Sequence, residues 1–487
     1  MPPRFLAFDL GAESGRAMVG TLQDDRLTLE EIHRFPNEAV QVRGSLHWDL
    51  LWLYNNLLKG MREYVRRYGP QVESVGLDSW SLDFGLLDGP GALLGNPYQY
   101  RDARTEGMVE LAAERLDPLR LYELTGISPN RIHTVFQLLA MRRAQSPALA
   151  AARTFLMIPD LLGYFLTGER VCERSNAIHT NLYNPRTRQW APEVFSALDL
   201  PLEIMPPLVD PGTVVGPLSA EVCGLTGLAA APLVAPCTHD TGSAVAGVPA
   251  SGEDWAFLSS GTWSILGAMV AEPLTTPESL AARVNNEMSL SLFVCRNIGG
   301  LWLLQRSRVA WEQQGQSYSY EDLVTLARQA PPGGPVVYPD APDFLAPPDM
   351  TVALREYCLR TGQTPPDSVG ATVRCVLESL ALCYRHELEQ FRRLLGRDFG
   401  AVNVVGGGSR NALLCQATAD ATGLPVLAGP VEATVAGNVG VQALARGHLG
   451  SEQEIRDLVR RSFEPVTYEP GDPAYLDDQY EKYVGLL

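Results

Sequence analysis

No uninterrupted apolar run reaches the roughly 18 residues of a membrane-spanning helix anywhere in the 487-residue sequence. A membrane is therefore not expected as a partner. Basic charge is also scarce: 39 Lys and Arg stand against 56 Asp and Glu, a formal net charge of −17. That deficit argues against a nucleic-acid or anionic-membrane surface, since either wants basic stripes. A small anionic ligand stays admissible, because backbone N–H groups with one or two cations hold a phosphate. The eight cysteines (Cys172, Cys223, Cys237, Cys295, Cys358, Cys375, Cys383 and Cys415) show neither CxxC nor metal-like Cys/His spacing. They read as reduced, mostly buried thiols of a cytoplasmic protein. The N-terminus is apolar only in short pieces and meets Asp9 too early for a signal peptide. A P-loop, GxxxxGK(S/T), is missing as well, so a Walker-type nucleotide site is not supported.

What is present is an alternation of strands and helices. "RFLAFDL" and "RAMVGTLQ" read as two strands around a glycine-containing turn. "WDLLWLYNNLLKGMREYVRRYG" repeats apolar residues at helical spacing and stops at Gly69. "VESVGLD" then runs as a strand to Asp78. Residues 105–190 read as helix-rich, and "GATVRCVLESLALCYRHELEQFRRLLG" as one long amphipathic helix. Strands interleaved with helices imply a mixed sheet with helices packed on it. The length exceeds what one core fills, so two large domains are expected.

The segment "WAFLSSGTWSILGAMV", residues 255–270, has the layout of "FLAFDLGAESGRAMVG", residues 5–20. Each is an apolar arm, a small polar turn with glycine, and a second apolar arm. Half a chain apart, they suggest a duplicated domain with a boundary near residue 247. If the halves face each other, both turns look into the cleft between them. Backbone N–H groups would then cradle phosphates, Arg16 would offset their charge, and Asp9 would face a magnesium ion. A third turn, "VVGGGSRN", follows a strand and opens a helix. It is either an ordinary strand–helix turn or one wall of a nucleotide site.

"THDTGSA", residues 238–244, sets His239, Asp240 and Thr241 at a strand end, where α/β sheets usually keep their chemistry. Asp240 is either the cap of the following helix or a catalyst. Asp78 and Asp83 in "LDSWSLDFGLLD" are either turn residues or contacts to a hydroxylated ligand. Arg101, Asp102 and Arg104 of "YRDART" read as a surface ion-pair loop.

These motifs, in this order, resemble the FGGY family of carbohydrate kinases. The resemblance runs nearly end to end: "DLGAESGR", "EIHRFPN", "LDSWSLDFGLLD", "YRDART", "HDTGSAV", "LSSGTWSILG", "NIGGLWLLQR", "VVGGGSRNALL" and "AGPVEATVAGNVGVQ". Within the family, "HDTGSAV", "SSGTWS" and "GLWLLQR" are most similar to the branch acting on L-rhamnulose. The resemblance implies an α/β protein with two ribonuclease H-like domains of the actin and hexokinase type flanking a catalytic cleft. The N-terminal one, 1–247, would bind sugar and carry the base; the C-terminal one, 248–487, would bind nucleotide.

It further implies that Asp240 is the general base. Ser81, His239, Asp240, Thr241 and Asn297 would contact the sugar. Ala12, Glu13, Ser14, Gly15, Arg16, Thr262, Gln305 and Gly407 would line the ATP site, and Asp9 would hold Mg²⁺. The implied reaction is ATP-dependent phosphorylation of a ketose at its 1-hydroxyl. Two positions depart from the pattern. Ser81 stands where the family places a sugar-contacting glycine, which leaves L-fuculose or a ketopentose open as the substrate. Glu13 replaces a serine and would repel phosphate, so it is expected to point outward or toward the metal. A non-catalytic sensor of the same fold is the alternative of another class, but the acids and all three glycine turns are kept.

Overall fold

The computed structural model describes residues 2–471 and 474–487. Contacts divide the chain into two compact units: Met1–Gly247 with Met269–Val294 and Ala433–Ser462, and Val248–Ala268 with Cys295–Glu432 and Phe463–Leu487. The first unit thus takes two segments from the second half of the sequence.

In the first unit, β1 (Arg4–Leu10), β2 (Ser14–Gln23), β3 (Arg26–Pro36), β4 (Ser74–Ser79), β5 (Thr213–Pro217) and β6 (Pro232–Ala235) form one sheet in the order β5-β6-β4-β1-β2-β3. β1 and β2 form the expected antiparallel hairpin, and β4 lies parallel to β1 on its other side. Both faces of β1 are covered, which explains its nearly continuous apolar run. Leu6, Phe8 and Leu10 enter one core with Leu53, Leu57 and Met61 of the helix Leu50–Tyr68. That helix is capped by Asp49, whose carboxylate accepts from Trp52 N, and stops at Gly69.

The opposite face meets the helix Ala433–Ala445 through a buried polar ladder. Asn438 Nδ2 donates to Asp78 at 2.6 Å, Gln442 Nε2 to Asn438 Oδ1 at 2.7 Å, and Ser74 Oγ to Gln442 Oε1 at 2.7 Å. This helix also lies against the short helix Asp240–Ala246. The approach requires Gly437, where a Cβ would come 1.8 Å from Ser243 O.

The second unit repeats the plan. Six strands of its sheet, β7 (Trp255–Ser260), β8 (Trp263–Met269), β9 (Leu292–Gly299), β10 (Ala401–Val405), β11 (Val426–Ala428) and β12 (Val466–Tyr468), run in the order β9-β8-β7-β10-β11-β12. β7 and β8 are an antiparallel hairpin, with β10 parallel to β7. The order hairpin, then parallel partner, matches β2-β1-β4 of the first unit. The long helix Val369–Leu395 starts at its cap Ser368 and ends at Gly396 in the left-handed region, φ +63°. Cys358 and Cys375 lie within hydrogen-bond reach of each other as free, buried thiols.

One expectation fails in part. Of the "YRDART" charges only Arg101 is exposed, and the Arg104–Asp102 ion pair is largely buried rather than on the surface. Asp102 is buried, and its carboxylate accepts from Leu46 N at 2.7 Å and Arg104 N at 3.0 Å. Arg104 donates to Gln137 Oε1 at 2.7 Å and Gln137 O at 3.0 Å. Enclosed charges need polar partners; Leu46 and Gln137 supply them from distant segments, while Arg104 Nε faces Asp102 Oδ1 at 3.7 Å.

Candidate active site

The apolar arms of the first hairpin are interrupted because two of its charges satisfy each other. Asp9 and Arg16 are directly opposite in the β1–β2 register. Arg16 Nη2 lies 2.6 Å and Nε 3.1 Å from Asp9 Oδ2, with only 18% and 13% of the two side chains exposed. The turn between them is closed by Gly11 N donating to Ser14 O at 2.8 Å. Asn37 holds it from β3's end, its side chain donating to Gly11 O and its backbone N–H to Glu13 O. Glu13 itself is exposed, which fits the outward one of the two courses expected for it. Arg16, expected to face phosphate, is engaged with Asp9 in this structure.

Two further carboxyls, Asp78 and Asp240, gather around that pair. Asp78 sits beside Asp9 in the parallel β1–β4 register and is completely buried. Burial first, and then the negative charge of Asp9, push its carboxyl well above the usual carboxylate range. Its Oδ2 accepts from Asn438, while its buried Oδ1 has no hydrogen-bond partner. Asp240 is the first residue of the helix Asp240–Ala246. His239 takes the cap position, so the carboxyl of Asp240 does not cap the helix. Burial, followed by Asp9, raises Asp240 to about 7. Its side chain keeps 34% of its surface open, so solvent screening moderates that rise. Thr241 Oγ1 donates to Asp240 Oδ1 at 3.2 Å, and His239 Nε2 stands 3.3 Å from the same oxygen.

The loop carrying these residues is pinned by groups the sequence did not single out. Glu173, fully buried, accepts from Thr238 N and Thr238 Oγ1, each at 2.8 Å, from Ser175 N at 2.7 Å, and from Ser175 Oγ. Ser175 Oγ accepts in turn from His239 N at 3.2 Å, and Ser79 N donates to Thr238 O at 2.9 Å. Burial raises the Glu173 carboxyl to about 7 despite these donors. Behind His239 stand His179 and Glu287. Glu287 Oε2 lies 3.1 Å from His179 Nε2 and 3.7 Å from His239 Nδ1. Desolvation, then His179, lowers His239 to about 3, so its ring is neutral at pH 7. Nothing in the spacing of Glu173, His179 and Glu287 betrays this gathering; the fold alone assembles it.

Ser81 follows β4 and is buried at 7% exposure. Asp83 is not free for a ligand: it accepts from Trp48 Nε1 at 2.6 Å, Trp80 Nε1 at 3.0 Å, Gln137 Nε2 at 3.0 Å and Tyr100 N at 3.2 Å. The first unit therefore holds Asp9, Ala12, Glu13, Ser14, Gly15, Arg16, Ser81, His239, Asp240 and Thr241.

The other candidates belong to the second unit. Thr262 sits in the β7–β8 turn, where Thr262 O accepts from Trp302 N and Gly261 O from Leu301 N. Those donors open the helix Trp302–Gln313, and Gln305 lies on its first turn. The glycine turn packs on the same hairpin. A Cβ at Gly408 would come 2.0 Å from Ser260 Oγ, whereas Gly407 faces open space. Thr262, Gln305 and Gly407 thus share one neighbourhood. Asn297, on β9, has an exposed side chain.

A hairpin-led mixed sheet, present once in each unit, is the fold of solved sugar kinases. A gluconate kinase from Lactobacillus acidophilus superposes at TM-score 0.83 and 16% identity, over 100% of this chain and 97% of that one. A Plasmodium falciparum glycerol kinase solved with ADP gives TM-score 0.81 at 17% identity, over 99% and 97%. Family models for the FGGY carbohydrate kinases match residues 4–247 (N-terminal domain) and 256–446 (C-terminal domain), and the chain belongs to that family. Two similar relatives are rhamnulokinases. That of Bacteroides thetaiotaomicron is 42% identical over 99% of this chain and 98% of its own length. That of Enterococcus faecalis is 40% identical over 96% and 94%. Among the described residues, no helix is long and apolar enough to cross a membrane.

Proposed function

We propose that the chain transfers the γ-phosphoryl group of ATP to the 1-hydroxyl of L-rhamnulose, yielding L-rhamnulose 1-phosphate for L-rhamnose catabolism. The observation that carries the chemistry is Asp240, a partly open carboxyl at a helix start, beside the neutral imidazole of His239. The likeness to rhamnulokinases over nearly the whole chain carries the choice of sugar.

A sugar hydroxyl is a weak nucleophile, and the terminal phosphate repels approaching anions. The chain must therefore align the hydroxyl in line with phosphorus and take its proton as the bond forms. Asp240 is the base, effective once its carboxylate comes within about 2.6–3.2 Å of the hydroxyl. Thr241 holds one carboxylate oxygen, leaving the other for the substrate. Ser81, His239 and Thr241, with Asn297, orient the sugar. Ala12 to Arg16, Thr262, Gln305 and Gly407 serve the nucleotide.

The acids also suit a magnesium ion. Asp9 and Asp78 present hard oxygen donors side by side, and the buried Oδ1 of Asp78 lacks a partner. Asp9 would hold Mg²⁺ there, and the bound ion would supply neutralisation of phosphate charge.

Coupled ADP-release assays across L-rhamnulose, L-fuculose and ketopentoses test the reading. The highest kcat/KM is expected on L-rhamnulose. A clear preference for another ketose would reassign the substrate, and no ADP on any sugar would remove the kinase reading.

A further inference from the structure

We propose that His179, His239 and Glu287 form a binding site for a borderline-soft divalent cation of the Zn²⁺ class. Their donor atoms (one nitrogen from each ring and one carboxylate oxygen) all lie within 4.8 Å of one another. Glu287 Oε2 is 3.1 Å from His179 Nε2 and 3.7 Å from His239 Nδ1. Metal–ligand bonds of about 2.0–2.1 Å in a tetrahedron hold neighbouring donors roughly 3.4 Å apart, and the two measured separations bracket that spacing. The side chains are 7%, 7% and 1% exposed. Both ring nitrogens lie buried without a directed hydrogen bond, although the carboxylate oxygen is near. Such a pair of orphaned acceptors, aimed at one region beside a carboxylate, is what a shared cation would satisfy.

The surroundings add a second, independent feature. The other nitrogen of His239, Nε2, stands 3.3 Å from Asp240 Oδ1. A metal-bound imidazole ordinarily donates its remaining N–H to a carboxylate, which fixes the ring's tautomer and orientation. Asp240 occupies that place. The three ligands also rest on separate, firmly held pieces of one unit. His239 caps the helix Asp240–Ala246, and His179 lies in the 3₁₀ turn Ile178–Thr180. Glu287 lies on the strand Asn285–Met288, whose neighbour Asn286 bonds to Gly126 O through both its backbone and side-chain nitrogens. Two imidazoles and one carboxylate select against Mg²⁺, which prefers oxygen donors. The site is therefore distinct from the one at Asp9. If Asp240 is the base, as proposed above, a cation here locks its neighbour His239 and slows phosphoryl transfer.

The test uses the full chain freed of metal, without sugar or ATP, so its outcome does not depend on the kinase reading. Calorimetric titration with Zn²⁺ alone is expected to show one strong site. The affinity should weaken at least about tenfold in His179→Ala and in the near-isosteric Glu287→Gln. Co²⁺ bound to the wild-type chain should give the visible bands of nitrogen and oxygen ligands without a thiolate charge-transfer band. This second readout needs no variant to fold. Absence of a strong site, a thiolate band, or equal affinity in both variants would overturn the proposal. The cluster would then be a hydrogen-bonded wall behind His239.

Discussion

Arg16 reaches across the first hairpin to place Nη2 2.6 Å from Asp9 Oδ2, so the acid that ends the strand before the proposed phosphate turn is already charge-balanced. A nucleotide arriving there competes with Asp9 for the guanidinium. Arg16→Gln keeps a hydrogen-bond donor and removes the charge. The expected result is a KM for ATP raised about tenfold or more, consistent with loss of a charge-assisted contact, with the sugar KM little changed. Steady-state kinetics with each substrate varied in turn checks it. An unchanged ATP KM would leave Arg16 as a purely structural partner of Asp9.

The pH dependence follows from Asp240. Its carboxyl is raised to about 7 by burial and by Asp9, and a base must be ionised to accept a proton. Protonation silences the base, and with the rise moderated by solvent kcat/KM should fall along a one-proton limb as pH drops below 7 toward the ordinary carboxylate range. The limb should vanish, along with most of the activity, in Asp240→Asn. A profile that stays flat from pH 8 down to the ordinary carboxylate range, at constant ATP and metal, would contradict the assignment.

Glu173 makes a different prediction. It accepts four hydrogen bonds that fix Ser175 and Thr238, one residue before His239. Glu173→Ala strands those buried donors, and each unsatisfied group costs roughly 1–3 kcal/mol. A lower midpoint in urea unfolding is expected, with kcat reduced and ATP affinity kept. Wild-type unfolding would show that the clamp is dispensable.

How much of this was legible in advance depends on where the partners lie along the chain. The hairpins, the helix stopping at Gly69 and the long helix Val369–Leu395 are local events, and their apolar periodicity announces them. Asp9 was visible as a charge breaking an apolar run and Asp240 as an acid at a strand end that could equally cap a helix, while repulsion from phosphate left Glu13 either outward or toward the metal. Glu173, His179 and Glu287 were invisible because their meeting depends on segments far apart in sequence. The same blindness turned "YRDART" into a surface loop. Its charges look solvated until Leu46 and Gln137 supply the burial and the partners.

Ser81 bears on the choice of sugar. Its buried hydroxyl-bearing side chain stands where the family resemblance leads one to expect glycine. Ser81→Gly should shift KM among ketoses while kcat on the best sugar stays within about twofold, since positioning rather than chemistry is altered. Identical KM values across the sugar panel would detach Ser81 from specificity.

The proton-accepting role of Asp240 is most directly tested by comparing Asp240→Asn with wild type in a single-turnover assay with saturating ATP and L-rhamnulose. The account predicts a phosphoryl-transfer rate at least 10²–10⁴-fold lower, the usual contribution of a positioned base, with ADP binding and the unfolding midpoint retained. Transfer at close to the wild-type rate would contradict it.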